Sequence, residues 1–275
     1  MSFFELFNAH EPNRIAMFAR FFCAVQTIQL LLNFGQQYRY FQTQPWRIYG
    51  RKQKLLGFIP LPALNQCQFL ISGVCLFISL VLVSVAFYPY LFVLLALISH
   101  FLYFPQIISL AYVQRKTNLL PIVLFILLAS PSLNKPLSAP STGWEILLIK
   151  IALVQVYFSA GVQKLSRSGM AWFNGKYLQA YLLENYLWTD RTSALAVAGK
   201  PLLCVLMSTL TLVFELTFWV VIFFPKLIFL YVAIALLFHI GTLVTMRINY
   251  LKYLSPVYLV FFTDIAFHIK TSLGL

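Results

Sequence analysis

Charged residues are scarce in this sequence, and acidic residues are the scarcest. Only 10% of the 275 residues are charged, and just 7 are Asp or Glu. A soluble domain carries about 25% charged residues. Hydrophobic residues make up 61% of the chain. The composition excludes an ordinary soluble domain, and the apolar runs, roughly 20 residues long, predict helices that cross a bilayer.

Cysteine and histidine patterns typical of metal sites are also missing. The chain has 4 cysteines with no CxxC pair and no histidine at metal-ligand spacing: Cys23, Cys67, Cys75 and Cys204. We therefore expect no metal site, and we expect these cysteines to be small buried hydrophobic residues. The first ten residues, MSFFELFNAH, lack the basic region and cleavage site of a cleavable signal peptide, so none is expected.

The net charge of +13 does not indicate a nucleic-acid partner. The basic residues are spread over short loops between apolar segments, which is the pattern that orients a membrane protein in the bilayer. The partner that this pattern predicts is the lipid bilayer, and no nucleic acid is expected. We expect a multi-pass protein of the cell membrane.

Eight apolar segments follow one another, and prolines mark several of the turns between them. They cover residues 15–34, 66–87, 90–112, 118–130, 144–165, 201–224, 227–246 and 251–268. The fourth is short for a span, so a tilted or re-entrant helix is an alternative there. Residues 170–190 are rich in Trp and Tyr, which favours an interfacial helix.

These segments predict the fold class. We expect an all-α integral membrane protein, a bundle of about eight transmembrane or re-entrant helices plus an interfacial amphipathic helix. The whole chain, residues 1–275, is expected to form a single transmembrane domain without a soluble lumenal or periplasmic domain.

Ionisable residues inside apolar segments are the candidate functional residues, because a charge in the bilayer costs about 2.5 to 3.5 kcal/mol. Glu215 and His239 lie on consecutive segments within about one helical turn of the same depth, so they are expected to meet. Two interpretations remain open. The pair either locks two helices together through a hydrogen bond or handles a proton.

Lys164 stands at the end of an apolar helix, after the small residues of SAG at 159–161. Small residues let a neighbouring helix or a ligand approach the backbone closely. The lysine either extends to the headgroups or points into the protein, where burial favours the neutral amine that acts as a base. Spacing alone does not decide between these alternatives.

Two further histidines lie in or near the apolar segments. His100 is in the middle of the third segment, where it is either an interhelical hydrogen-bond partner or a contact for a ligand. Asp264 and His268 are four residues apart near the end of the last segment and share a helix face. We expect that pair to be exposed at the helix end.

Several short motifs resemble the HTTM family, which shares its transmembrane domain with vitamin K-dependent gamma-carboxylase. They are RIAMFARFF at 14–22, YFSAGVQKL at 157–165, AWFNGKYL at 171–178, FEL at 214–216 and LFHIGTLVTM at 237–246. The resemblance runs in order over most of the chain. The AGxxKL and WxxG motifs are its most specific elements.

The resemblance implies roles for individual residues. Lys164 occupies the place of the lysine that, in the carboxylase, deprotonates vitamin K hydroquinone, and Gln163 replaces the lysine before it. The implied cofactor is a reduced quinone. Apart from the resemblance, we expect Gly161 to give close backbone access and Trp172 and Gly175 to shape the cavity wall, and we take Gln163 and His100 as further candidate contacts with the cofactor.

The chain also departs from the carboxylase. Asn118 and Leu119 stand where the carboxylase has an active-site histidine, and no large lumenal domain is expected after the last apolar segment. These departures leave two hypotheses. One is a bacterial quinol-dependent or peptide-modifying membrane enzyme with Lys164 as base and Glu215 and His239 as proton partners. The other is a non-enzymatic membrane partner in the maturation, export or immunity of a small secreted peptide.

Overall fold

The computed structural model describes most of the chain and shows helices almost throughout. The described residues are 13–43, 54–55, 59–60, 62, 64–108, 119–137, 139, 143–250 and 254–261. Contacts divide the chain into two compact units. The first comprises residues 1–149 and 259–275, and the second comprises residues 150–258. The boundary falls inside one long helix, which contributes its first turn to the first unit.

The first unit is built from four helices and the start of a fifth. They are α1 (Arg14–Thr43), α2 (Gln66–Ser84), α3 (Pro89–Ile108), α4 (Leu120–Ala129) and the first residues of α5 (Trp144–Ser168). A two-residue antiparallel pair, β1 (Lys54–Leu55) with β2 (Ile59–Pro60), lies between α1 and α2. Phe69 stacks between Phe41 and Tyr103 at centroid distances of 4.3 and 4.6 Å, which joins α1, α2 and α3.

Capping residues in the sequence fix where these helices begin. Asn65 and Gln68 form a reciprocal capping box at the start of α2. Pro89 opens α3, where its missing amide hydrogen costs nothing. Asn13 precedes α1, accepts a hydrogen bond from the amide of Ala16 at 3.1 Å, and donates through Nδ2 to the carbonyl of Ser132 at 2.6 Å. Asn13 therefore caps α1 and also anchors it to the segment after α4.

Asn13→Ala should destabilise the protein more than Asn65→Ala does. Both changes remove a helix cap, which costs about 1 kcal/mol, but Asn13 is buried and also satisfies the Ser132 carbonyl, so its loss should cost about 2 kcal/mol. Detergent-solubilised variants compared by thermal unfolding would measure this difference. Equal losses for the two variants would contradict the anchoring role of Asn13.

The second unit contains the rest of α5, a 3₁₀ turn at Gly169–Asn174 and five further α-helices. Four of these are α6 (Lys176–Thr189), α7 (Thr192–Ala198), α8 (Pro201–Thr217) and the short α9 (Val220–Phe223). A second 3₁₀ turn at Pro225–Leu227 leads into α10 (Ile228–Met246), and residues 254–258 begin a final described helix that continues to 261. Helices α6 and α7 form a hairpin beside α8. Within this hairpin, the Nε2 of Gln179 on α6 donates to the carbonyl of Ala198 on α7 at 2.7 Å.

Five of the described helices are long and apolar enough to cross a membrane. They are contained in Arg14–Thr43, Gln66–Ser84, Pro89–Gln106, Trp144–Asn174 and Pro225–Met246. Helices α7 and α8 pass the same test together but are bent by 97° where they join, so they form either a broken span or a re-entrant loop. The predicted all-α membrane protein is confirmed, and the protein is a multi-pass one.

Exposed apolar side chains line these candidate spans, as contact with a lipid bilayer requires. On α10, for example, more than half of the surface of Phe229, Leu230 and Leu237 is exposed. A soluble protein rarely exposes so much apolar area in one place.

The predicted segments differ from the structure in some details. The described residues contain five long candidate spans, one bent pair and one shorter apolar helix. The sixth predicted segment is interrupted, because α8 ends at Thr217 and α9 begins at Val220. The fourth is the ten-residue α4. Most of the eighth, including Asp264 and His268, lies outside the described residues.

The predicted burial of the cysteines is correct for only two of them. Cys23 and Cys204 are buried, whereas Cys67 and Cys75 are exposed on α2. The face of α2 that packs inward carries Phe69, Leu76 and Leu80, and neither exposed cysteine lies on it. Hydrophobicity predicted the helix correctly, but it did not predict which face is turned inward.

Candidate functional site

An ion pair between Lys164 and Glu215 lies within the second unit. The Nζ of Lys164, near the end of α5, donates to Oε1 of Glu215 on α8. The lysine side chain is 24% exposed and the glutamate side chain 4% exposed. The ammonium group of Lys164 is therefore paired with a carboxylate of the protein. This differs from the alternative in which the side chain extends alone to the lipid headgroups.

The close approach of α5 to α8 makes this pair possible, and Gly161 permits that approach. Gly161 lies one turn before Lys164 on α5. A Cβ atom at this position would lie 3.0 Å from Leu216 Cγ and 3.1 Å from Glu215 Cβ. The missing side chain leaves room for Glu215 against the α5 backbone. The element that packs against Gly161 is α8, and the predicted access of a ligand to the backbone at Gly161 stays a prediction.

Trp172 covers the lysine from the 3₁₀ turn. The centroid of its ring is 5.4 Å from Lys164 Nζ, within cation–π range. Its Nε1 donates to the carbonyl of Ser208 on α8 at 3.2 Å, and Tyr177 stacks on the ring at 5.9 Å. The indole is thereby held on both sides, and the ammonium group of Lys164 lies between a carboxylate and an aromatic face.

Gly175 fixes the position of the turn that carries Trp172. Its φ is +74°, a conformation that favours glycine, and it joins the 3₁₀ turn to α6. A Cβ atom here would lie 2.5 Å from the backbone nitrogen of Val205 and 2.8 Å from the carbonyl carbon of Cys204. The turn can lie directly on the α8 backbone only because residue 175 has no side chain.

A second polar cluster surrounds His239. The hydroxyl of Tyr157, two turns before Lys164 on α5, hydrogen-bonds His239 Nε2 at 2.5 Å and also bonds the hydroxyl of Tyr258. All three side chains are buried. Phe214 on α8 and Phe218 just after it pack against the Tyr157 ring at 5.3 and 4.5 Å, so this cluster adjoins the segment of α8 that carries Glu215.

Tyr250 adjoins the cluster around His239. Its ring centroid is 5.6 Å from that of His239. Burial raises the pKa of the Tyr250 phenol, and the nearby Glu215 carboxyl raises it further. The side chain is therefore close to both ionisable residues, and its hydroxyl stays protonated at neutral pH.

Two buried polar atoms in this region have no hydrogen-bond partner among the described residues. They are Glu215 Oε2 and His239 Nδ1. Glu215 is 3% exposed and His239 is 1% exposed. Leaving such an atom unbonded costs about 1 to 3 kcal/mol. Each atom therefore has free capacity for a water molecule or a ligand.

The structure brings together most of the predicted site residues, but in an arrangement different from the predicted one. Glu215 and His239 were expected to bond each other. In the part of the chain that the structure describes, Glu215 bonds Lys164 and His239 bonds Tyr157, so each pairs with α5 instead. The sequence predicted that the two residues lie at a similar depth in the membrane. It did not predict the direction in which each side chain points.

Gln163 and His100 are the other predicted contacts. Gln163 is exposed on α5. His100 belongs to the first unit, where its ring stacks on Phe104 at 4.8 Å. Their predicted role in holding a ligand stays a prediction.

Sequence reasoning missed the three tyrosines at 157, 250 and 258. The chain contains 15 tyrosines, so residue type alone does not single out these three. Tyr157 opens the YFSAGVQKL motif and lies seven residues before Lys164, which is the one available signal. Two helical turns place both side chains on the same side of α5.

The side chains gathered here suit proton transfer. The described residues contain no group of three or more His, Cys, Asp or Glu side chains that could hold a metal ion. They do contain a buried acid and base in direct contact, an aromatic face beside them and a hydrogen-bonded imidazole. Such an arrangement can orient a flat ring and accept a proton from it.

Comparisons with known proteins supply no further guide. No protein-family model, no curated protein and no solved structure matches this chain.

Proposed function

We propose that the second unit binds a lipid-soluble ring ligand with an acidic hydroxyl, such as a reduced quinone, and that Lys164 removes the proton of that hydroxyl. In this proposal the protein is an enzyme of a bacterial cell membrane. The observation that carries the proposal is the partly buried Lys164–Glu215 pair beside the Trp172 ring, with one carboxylate oxygen unbonded among the described residues.

The ion pair gives Lys164 a way to become a base. When the lysine proton moves along the hydrogen bond to Glu215, the amine regains its lone pair. Lys164 then takes the proton of the ring hydroxyl and is again positively charged. The proton count balances, because Glu215 ends neutral and the ring oxygen ends anionic beside the ammonium group. A paired carboxylate also avoids the cost of an isolated buried lysine.

Trp172 supports the binding of a flat ring. Its indole is fixed by Ser208 and Tyr177 and lies against the Lys164 ammonium group. The indole holds the ammonium group by a cation–π contact and adds an apolar wall beside it, which suits a flat ring ligand. A reduced quinone supplies weakly acidic ring hydroxyls and a source of electrons.

The resemblance to the HTTM family agrees with this proposal. It assigns the position of Lys164 to the base that acts on a hydroquinone, and its AGxxKL and WxxG motifs contain Gly161, Trp172 and Gly175. In this chain the same residues lie around one ion pair within one compact unit. The two lines of reasoning start from different observations and lead to the same lysine.

Ligand retention by the purified protein tests the proposal. Wild type, Lys164→Ala and the control Lys226→Ala would be purified in mild detergent and extracted with organic solvent, and the quinones would be quantified by mass spectrometry. Lys226 is an exposed lysine in the same unit. We expect wild type and Lys226→Ala to retain quinone in similar amounts and Lys164→Ala to lose at least about 80% of it, since losing one charge-assisted contact of about 1.5 kcal/mol weakens binding roughly tenfold.

Retention of equal quinone by all three proteins would contradict the role of Lys164. An absence of quinone from folded wild type, with a secreted peptide or a second membrane protein co-purifying instead, would favour the maturation-partner hypothesis.

A further inference from the structure

Two polar atoms in the second unit, Glu215 Oε2 and His239 Nδ1, have no hydrogen-bond partner among the described residues. The phenol of Tyr250 lies beside them, with its ring centroid 5.6 Å from that of His239. Two of the three side chains are more than nine-tenths buried. Buried polar groups are nearly always satisfied in native proteins. The cluster therefore indicates a missing group that bonds to it.

The end of α10 explains why Tyr250 lies there. Arg247 adopts a left-handed conformation with φ of +57° and ends the helix, and its amide bonds the carbonyl of Leu243. The amide of Ile248 then turns back to the carbonyl of Thr242 at 3.4 Å. This reversal returns the chain along α10 and brings Tyr250 beside His239, although the two are eleven residues apart in sequence.

The hydrogen bonds around His239 indicate what its free nitrogen offers. Tyr157 bonds Nε2, and the Tyr157 oxygen is also bonded to Tyr258. If Tyr258 donates to Tyr157 and Tyr157 donates to Nε2, each hydroxyl is used once as a donor and the neutral imidazole carries its proton on Nδ1. The free nitrogen is then a donor. Tyr250, whose raised pKa keeps it protonated, is a second donor.

We propose that Tyr250, His239 and Glu215 form a second polar site that binds a ring oxygen of the ligand. Tyr250 and His239 Nδ1 donate to that oxygen, and Glu215 Oε2 accepts the hydrogen when the oxygen is a hydroxyl. The inference rests on the proposed function and deepens it. Lys164 acts on one ring hydroxyl, and this second site selects ligands that carry a second ring oxygen. Tyr250 is a specificity-determining residue of this site.

Two probes that differ by one hydroxyl test the inference. Naphthol has one ring hydroxyl and naphthohydroquinone has two, and their dissociation constants would be measured anaerobically by titration calorimetry on the full chain in lipid nanodiscs. Tyr250→Phe should raise the dissociation constant of naphthohydroquinone about fivefold, because the loss of one hydrogen bond costs about 1 kcal/mol. The dissociation constant of naphthol should change by no more than about twofold. Phenylalanine keeps the ring, so the packing against His239 is retained.

Tyr231→Phe is the matched control. Tyr231 lies in the same unit, and its hydroxyl donates to Thr217 at 3.0 Å, away from His239. We expect it to change neither probe's affinity by more than about twofold. Lys164→Ala should weaken both probes, because both present the hydroxyl that this lysine contacts.

The outcomes separate the two proposals. If Lys164→Ala weakens both probes but Tyr250→Phe affects them equally or not at all, the second polar site is wrong and the function of Lys164 stands. If wild type binds neither probe, the proposed function is contradicted and the second site with it. A selective loss of naphthohydroquinone affinity in Tyr250→Phe supports both.

Discussion

Lys164→Met should lower the free energy of unfolding by about 2 to 3 kcal/mol, and adding Glu215→Leu to it should restore most of that loss. The single change leaves the Glu215 carboxyl buried without its cation. Breaking a buried pair costs about 3 to 5 kcal/mol, and the partial exposure of the lysine reduces the expected cost here. The double change replaces two charges by apolar groups of similar size, which is often close to neutral.

Unfolding of the detergent-solubilised variants by titration with a denaturing detergent would measure these differences. Lys226→Met is the control, because that lysine is exposed and its replacement should stay within about 0.5 kcal/mol of wild type. If the double variant were no more stable than Lys164→Met, the instability would come from lost packing and not from an unpaired carboxyl.

Gly175→Ala should destabilise the protein by about 2 to 4 kcal/mol and displace Trp172. A methyl group at residue 175 would meet the backbone of Val205 and Cys204 at distances that no side-chain adjustment relieves. The left-handed conformation adds about 1 kcal/mol of strain, and forced overpacking costs about 1 to 3 kcal/mol. Thermal unfolding would report the stability, and tryptophan fluorescence would report the environment of the indole.

Gly169→Ala separates strain from overpacking. Gly169 also has a positive φ, of +56°, but a Cβ atom there meets nothing within 4 Å. We expect this variant to lose only the strain term of about 1 kcal/mol. Equal losses at 169 and 175 would show that the contact of residue 175 with α8 contributes little.

Composition and segment length were sufficient to predict an all-α membrane protein, because the bilayer imposes long apolar helices whatever the detailed sequence. They were insufficient to predict where α8 is interrupted. Phe218 and Trp219 carry no proline or glycine signal, yet α8 ends just before them. Local propensity is weak at such positions, and tertiary packing decides the break.

The candidate site was predicted in part for a similar reason. Lys164, Glu215 and Trp172 were recognisable because a charge or a tryptophan is unusual at these positions in an apolar chain. Their pairing was not recognisable, since depth along a helix does not fix the direction of a side chain. Tyr250 depends on the reversal after Arg247, which hydrophobic periodicity does not encode.

The most direct test is the quinone content of the double variant Lys164→Met with Glu215→Leu. This variant is expected to be nearly as stable as wild type, so a loss of ligand cannot be attributed to unfolding. We predict that purified wild type retains a quinone and that the folded double variant retains almost none. Retention of the same quinone by the double variant would contradict the claim that the Lys164–Glu215 pair is the ligand site.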